Sequence, residues 1–216
     1  MTVGEIKAYV ASMVDDKQFA YFTETELLIY INQEMRETQK LILQAGSNWY
    51  VKIDQSQSTV VNQANYTLPT DFLIMNRIEL VTNPGVNETR YSVQSIVLNQ
   101  KDSIAWDNDV AGFYFLKNTL YFAPIPRTVR TIRMYYSYLI PEVALDADTP
   151  DVPPQYHEYI ADRVACTCFL KDGRDPSFIL RRTQIVEDAL KQTAIERAQD
   201  HASRVVIVDE DSGIYG

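Results

Sequence analysis

Apolar residues recur at helical spacing at both ends of the chain and at strand spacing in its middle. Near the N-terminus, Thr2 with Glu5, and then Thr23 with Glu26, have the Thr-x-x-Glu spacing of a helix capping box. Apolar side chains follow each box at intervals of three or four residues: Ile6, Tyr9, Val10, Met13 and Val14, then Leu27, Leu28, Ile31, Met35, Leu41 and Ile42. This spacing predicts two helices within residues 2–46.

The pattern changes at Trp49, and residues 49–138 are predicted to form strands. Within this region, residues 113–138 are predicted to form a meander of three consecutive strands. Their order along the chain is Phe113–Leu116, a turn at Lys117-Asn118, Thr119–Phe122, the prolines Pro124 and Pro126, and a third strand in which Val129, Ile132, Met134 and Tyr136 are apolar. The prolines end the second strand because proline cannot donate to a strand ladder. The approximate alternation of apolar and polar residues in the third strand predicts one buried face and one solvent-exposed face.

Residues 69–73 are predicted to form a turn that leads into a strand over residues 74–81. We expect Phe72 and Leu73 to anchor the turn in the core.

Helical spacing returns after a loop rich in proline and aspartate, which ends at Pro154. Gly173 separates two predicted helices, 155–172 and 175–203, and Asp175-Pro176 has the form of an N-cap followed by proline. The inward residues are predicted to include Ile160, Val164, Ile185 and Leu190. The predicted fold is therefore α+β, with an antiparallel sheet layer inserted between an N-terminal and a C-terminal helix pair, and the four helices forming a bundle.

Composition and charge exclude several classes of protein. With 46% hydrophobic and 23% charged residues among 216, the chain has the composition of a globular protein. Its net charge of −9 disfavours tight binding to a nucleic-acid backbone, which needs clustered lysine and arginine. No apolar run approaches the roughly 20 residues of a membrane span, so no membrane partner is expected. The N-terminus lacks the pattern of a secretory signal, and Cys166 and Cys168, two apart on a helix, are poorly placed for a disulfide; both observations predict synthesis in a reducing cytosol.

A search for chemistry in the sequence finds no catalytic constellation. No nucleophile elbow and no phosphate-binding glycine loop is present, and the two histidines are His157 and His201. Cys166 and Cys168 diverge on a helix and have no accompanying Cys-x-x-Cys, so we interpret them as buried small side chains rather than metal ligands. Asp146, Asp148 and Asp151 lack the spacing of a calcium loop and are interpreted as a polar loop. We therefore predict no catalytic, cofactor-binding or metal-binding residue.

Two features remain as candidates for interaction. Arg127, Arg130 and Arg133 form a basic stripe that could contact DNA or pair with acidic neighbours in an assembly, and the negative net charge favours the second. The last residues, 205–216, begin with a β-branched run and continue with acidic residues: Val205, Val206, Ile207 and Val208, then Asp209, Glu210 and Asp211. Four consecutive β-branched residues without a polar residue among them are prone to aggregate when exposed to water. We therefore predict that this tail docks on a protein surface, either in its own subunit or in another chain.

Five stretches carry a resemblance to a known family, and they occur in its order. They are Phe22-Thr23-Glu24-Thr25-Glu26-Leu27-Leu28-Ile29-Tyr30-Ile31-Asn32, Tyr66-Thr67-Leu68-Pro69-Thr70-Asp71-Phe72-Leu73, Leu120-Tyr121-Phe122-Ala123-Pro124-Ile125-Pro126, Arg133-Met134-Tyr135-Tyr136, and Asp148-Thr149-Pro150-Asp151-Val152-Pro153-Pro154-Gln155-Tyr156-His157. In this order the chain resembles the head–tail adaptor (connector) proteins of tailed phages, particularly of short-tailed phages. The similarity extends to about residue 195, and each motif in it is structural.

The resemblance implies a structural virion protein without catalytic residues or cofactors. Members of that family form a ring, usually of twelve identical subunits, which docks beneath the portal protein, extends the DNA channel and attaches tail, nozzle or tail-fibre proteins. We predict one adaptor domain over 1–204 and a docking tail over 205–216. The tail has no pattern of that family, and the adaptor interpretation makes the portal or a neighbouring subunit its recipient. DNA would pass through the lumen without sequence-specific binding, and the protein would be made in the host bacterial cytoplasm. The alternative is a nucleic-acid-associated or other assembly protein without catalysis.

Overall fold

The computed structural model describes residues 1–85, 87–101, 110 and 112–203. The chain divides into two compact units, each with its own core: a helical unit, made of residues 1–47 and the chain from Ile140 onward, and a β unit, residues 48–139. The helices are α1 (Val3–Val14), α2 (Glu24–Gln44), α3 (His157–Lys171) and α4 (Ser177–Ser203), with short 3-10 turns at Leu98–Gln100 and Pro154–Tyr156. The α+β class is confirmed; whether residues 1–204 act as one domain stays a prediction.

The two predicted capping boxes have different outcomes. At the start of α1 the box is complete, because the Glu5 amide donates to Thr2 Oγ1 (3.2 Å) and the Thr2 amide donates to Glu5 Oε2 (2.9 Å). At the start of α2, the Glu26 amide donates to Thr23 Oγ1 at 3.3 Å, but the Glu26 carboxylate accepts hydrogen bonds from Tyr30 and Lys171 instead. The second box is therefore half formed, because a lysine on α3 takes the carboxylate away from the helix end.

Helix α3 is the centre of the helical unit and contacts α1, α2 and α4. Ile160 and Val164 on α3 are fully buried, as predicted. Cys166 and Cys168 are buried free thiols, and burial raises their pKa values to about 11 and about 12. They therefore behave as small core side chains, in agreement with the interpretation from sequence.

The predicted apolar face of α4 is wrong in one respect. Ile179 and Leu190 are buried, together with Thr183, whereas Ile185 is 70% exposed. These buried residues of α4, spaced four and seven positions apart, lie on a narrow seam toward α2 and α3, and Ile185 lies on the opposite side of the helix. Phe178, one heptad before Ile185, is also exposed, at 58%.

A loop after Ile140 is fixed to the helices by polar contacts. Asn32 of α2 donates to the Val143 carbonyl and accepts from the Val143 amide, both at 2.9 Å. The buried amine of Lys7 donates to Asp146 at 2.7 Å. Asp148 accepts from the amides of Ala144 and Leu145, both at 2.8 Å, and these bonds lower its pKa. The aspartates of the loop thus have structural roles, and no group of three His, Cys, Asp or Glu among the described residues could hold a metal ion.

A cluster of ionisable groups is buried where α2, α3 and α4 meet. The Arg163 guanidinium on α3 donates to Glu34 of α2 at 3.3 Å and lies 3.9 Å from Glu187 of α4, which also accepts from the Tyr159 hydroxyl at 3.0 Å. Glu34 is 5% exposed. Its burial raises its pKa above the ordinary value of 4.5, and Arg163 opposes that rise only in part.

The β unit is one curled sheet of seven strands. Their bounds are β1 (Val51–Ser58), β2 (Asn65–Thr67), β3 (Phe72–Thr82), β4 (Thr89–Ser95), β5 (Gly112–Leu116), β6 (Thr119–Ala123) and β7 (Thr131–Tyr138), in the spatial order β1-β7-β3-β4-β5-β6-β2. The edge strands approach each other, since Gln57 of β1 donates to the Thr67 carbonyl of β2 at 2.8 Å. All pairs are antiparallel except β4 with β5, which is parallel, so the prediction of an antiparallel sheet is wrong at that pair and the sheet is mixed. Strands β4 and β5 run in the same direction, and such a pair cannot be joined by a hairpin turn.

The predicted meander is confirmed for β5 and β6 and wrong for the third strand. Lys117 takes a positive φ of 54° in the turn between β5 and β6. Strand β7, however, pairs with β1 and β3 rather than with β6. Strand β7 lies between β1 and β3, and residues on both of its faces are buried. The face that was predicted to be exposed to solvent carries an ionic cluster that includes Glu79 and Arg133.

The core of the β unit contains the inward residues of these strands: Tyr66, Ile78, Leu80, Val93, Phe113, Leu120, Phe122, Ile132, Met134 and Tyr136. Phe72 packs against this core, with ring centroids 5.8 Å from Phe115 and 5.9 Å from Tyr136. Leu73 is 38% exposed, so the prediction that it anchors the turn is wrong. Successive strand residues point to opposite faces, and only one of this pair can face the core.

Candidate interaction surfaces

An ionic cluster lies on the face of the sheet opposite the core. Ile78 and Leu80 of β3 point into the core, so Glu79 between them points to the other face, where it is opposite Arg133 of β7. Although this is the outer face, Glu79 is only 1% exposed and Arg133 only 7%. A charged pair this deeply buried must be satisfied by neighbouring groups.

The partners of the cluster come from two strands, β3 and β7, and from the loop between β3 and β4. Arg133 donates to both carboxylate oxygens of Glu88, at 2.6 and 2.9 Å, and its Nη1 lies 3.7 Å from Glu79. Glu79 accepts from the Tyr135 hydroxyl at 3.2 Å and pairs with Arg77 at 2.5 Å. The two-pronged bond from Arg133 is the largest cause that lowers the pKa of Glu88 to about 2. Among the described residues, the charged groups of this cluster are therefore paired with one another inside the subunit.

The three arginines of the predicted basic stripe lie in three different environments. Arg133 is buried in the ionic cluster. Arg130 is half-buried, with its guanidinium 4.2 Å from the centroid of the Tyr91 ring. Arg127 is exposed and lines a pocket of about 620 Å³ beside Tyr114 and Tyr121, whose rings stack at 5.3 Å. The three arginines do not form one basic surface, because Arg133 is buried on β7 whereas Arg127 and Arg130 precede that strand and are more exposed.

The negative charge of the chain is concentrated in the helical unit. Residues 1–47 and 140–216 contain 12 lysines and arginines against 22 aspartates and glutamates, a net charge of −10, whereas residues 48–139 contain 8 against 7, a net charge of +1. The net charge of the whole chain does not show this division. The counts become visible only when the unit boundaries are known.

The helical unit exposes large apolar side chains as well as acidic ones. They are Tyr21, Ile29, Leu145, Leu170, Phe178, Leu180 and Ile185. Phe178 is held in place by an edge-to-face contact with Phe169, with centroids 5.6 Å apart. Of these residues, Ile185 was predicted to be buried, since amphipathic spacing alone does not show how wide the buried seam of a helix is.

The predicted docking tail, with Val205, Val206, Ile207, Val208, Asp209, Glu210 and Asp211, lies outside the described residues. No described helix is long and apolar enough to cross a membrane.

Comparison with known proteins gives one family. No curated protein matches the chain. The model of the SU10 adaptor protein family matches residues 1–209, which is nearly the whole chain and includes both units. This agrees with the resemblance found in the sequence. The chain therefore belongs to the SU10 adaptor protein family, a family of structural phage adaptors, which implies a non-enzymatic role at the virion's head–tail junction.

Proposed function

We propose that the protein is a head–tail adaptor that forms a ring beneath the portal, extends the DNA channel and attaches tail, nozzle or tail-fibre proteins. The observation that carries this proposal is the family match over residues 1–209. In the proposed assembly, residues 1–204 act as one adaptor subunit, the four helices form a bundle, and twelve copies close the ring. A closed ring of identical chains needs two different contact surfaces on each subunit.

The charge distribution supports a channel role for the helical unit. A net charge of −10 on this unit, repeated around a ring, gives a strongly negative surface. Such a surface repels phosphates and lets DNA slide without binding. We propose that the helical units line the channel. The alternative of a nucleic-acid-associated protein predicts instead a DNA affinity that falls steeply with salt.

Two of the predicted arginines are kept as contacts between subunits. Arg127 is exposed and Arg130 is half-exposed, so both are accessible to an acidic neighbour. Arg133 is left out, since it is only 7% exposed and is not accessible to a neighbouring subunit.

The protein alone is expected to be a monomer or a mixture, and to become a defined ring when portal protein is added. Ring contacts between neighbours are individually weak, and a template that binds several subunits raises their effective concentration. Mass photometry with and without portal measures this, with bovine serum albumin in place of portal as the control. A stable dimer that portal does not change would contradict the proposal.

The proposed role of the tail has its own test. Deleting residues 205–216 is expected to leave the melting temperature of the subunit unchanged and to abolish ring assembly on the portal, because the β-branched run and the acidic residues after it would bind the portal or a neighbouring subunit. Thermal melts and mass photometry of the deletion variant measure the two effects. A lower melting temperature with intact assembly would show that the tail belongs to the fold of its own subunit.

A further inference from the structure

Four residues on the outer side of α4 form an empty hole of the kind found in coiled coils. Phe178, Arg181, Arg182 and Ile185 are spaced i, i+3, i+4 and i+7, and in helix packing such a set receives one side chain of a partner. All four are exposed, Phe178 at 58% and Ile185 at 70%. The hole has two apolar ends and two arginine sides.

Two of the four side chains of this hole, Phe178 and Arg182, are held by contacts within the helical unit. Phe178 packs edge-to-face on Phe169. Arg182 pairs with the buried carboxylate of Asp162 and lies 3.6 Å from Glu158. Side chains held in this way lose little conformational freedom when a partner binds.

An apolar knob with acidic flanks is exposed elsewhere on the same unit. Leu145 is 66% exposed, and its backbone amide is held by Asp148 at 2.8 Å. Glu142 and Asp146, on either side of it in the chain, have side chains that are 69% and 61% exposed. Their ion pairs with Arg36 and Lys7 fix the loop while leaving much of each carboxylate in solvent.

The two surfaces are complementary in polarity and charge. One offers a single leucine between two carboxylates, and the other offers a four-residue hole with two guanidinium groups on its sides. We propose that Leu145 of one copy inserts between Phe178 and Ile185 of the next copy, with Glu142 and Asp146 facing Arg181 and Arg182. This inference rests on the proposed ring, for which it names the two different surfaces that head-to-tail contact requires.

A second copy is the occupant that the charges favour. Helical units with a net charge of −10 repel each other when they are brought side by side. A contact that sets carboxylates of one copy against guanidinium groups of the next offsets part of this repulsion and also selects the orientation of the neighbour. Both halves of the contact are present on one chain, so no other protein is needed to complete it.

Mixed cysteine cross-linking tests this contact directly. Leu145→Cys and Ile185→Cys are made in separate chains, which is practicable because the native Cys166 and Cys168 are buried. Under mild oxidation each variant alone is expected to stay uncross-linked, and an equal mixture is expected to give a covalent dimer. Ile29→Cys, on α2 and 60% exposed, replaces either partner as the matched control and is expected to give no dimer. No dimer in the mixture, or equal dimers from one variant alone or with the control, would overturn the inference.

A charge placed in the hole separates this inference from the proposed function. Ile185→Asp is expected to weaken assembly on the portal by about tenfold or more, while the control Ile29→Asp assembles normally. The new carboxylate removes the apolar contact with Leu145, repels Glu142 and Asp146 of the next copy, and competes with them for Arg181 of its own helix. If the wild-type protein forms rings and Ile185→Asp forms them equally well, the contact is wrong and the adaptor function stands. If the mixed cross-link forms but the wild-type protein never assembles on the portal, the contact stands and the proposed function fails.

Discussion

Replacing Phe122 with alanine is expected to lower the free energy of unfolding of the β unit by about 3–5 kcal/mol. Phe122 is 2% exposed and its ring centroid lies 5.3 Å from that of Tyr66, in the core of the curled sheet. Truncation removes the burial of an aromatic ring and leaves a cavity that neighbouring strands, tied by their hydrogen bonds, can fill only in part. Both tryptophans, Trp49 and Trp106, belong to residues 48–139, so fluorescence during urea unfolding reports on this unit.

The adjacent residue supplies a matched control for this experiment. Tyr121 is on the same strand but on the opposite face, where it is half-buried and stacks on Tyr114. Tyr121→Ala is expected to cost about 1 kcal/mol, the value of an aromatic pair at a partly exposed site. Equal losses for the two variants would contradict the assignment of the core to the face that carries Phe122.

Replacing Arg163 with methionine is expected to cost the helical unit about 2–4 kcal/mol at neutral pH. The change leaves the buried Glu34 carboxylate without its cation. The free-energy cost of this unpaired buried charge exceeds the stability that the ion pair itself contributes. We place the loss below that of a fully buried pair because about a third of the Arg163 side chain is exposed. The double variant with Glu34→Gln is expected to recover most of the stability, since it also removes the stranded charge. Arg36→Met, which breaks an exposed pair with Glu142, is the control and is expected to change little.

The loss in Arg163→Met is also expected to depend on pH. Glu34 has a pKa raised above 4.5 in the folded protein, so protonated Glu34 favours folding, and this contribution is lost as pH rises through the raised pKa. Removing Arg163 raises that pKa further, so the deficit of the variant is small at about pH 4 and grows toward about pH 7. Denaturant unfolding at the two pH values measures it. A deficit that is the same at both would show that the Glu34 carboxylate is not its cause.

Local patterns predicted the elements that local interactions determine. The capping residues Thr2 and Thr23, the turn at Lys117 and the buried face of α3 all depend on neighbours within a few positions in the chain. The half-formed box at Glu26 shows the limit, because Lys171 reaches it from a distant part of the sequence.

The placement of β7 and the ionic cluster could not be predicted in the same way. Strand β7 pairs with β1 and β3, which are distant in sequence, and no residue in its own pattern specifies those partners. The one local signal for the cluster was an acidic residue within the apolar run Ile78-Glu79-Leu80-Val81, because a carboxylate in a buried strand requires a cation. The exposed Ile185 was mistaken for a core residue, since a seam toward only two helices is narrower than the apolar stripe of α4.

The most direct test of the adaptor function is electron microscopy of the purified protein mixed with its portal. We expect one closed ring of additional density on one face of the portal, coaxial with its channel and with a continuous lumen, and we expect no such ring in images of either protein alone. Portal particles that remain unchanged at saturating adaptor concentration would contradict the central claim. Added density that does not encircle the channel axis as a closed ring would also contradict it.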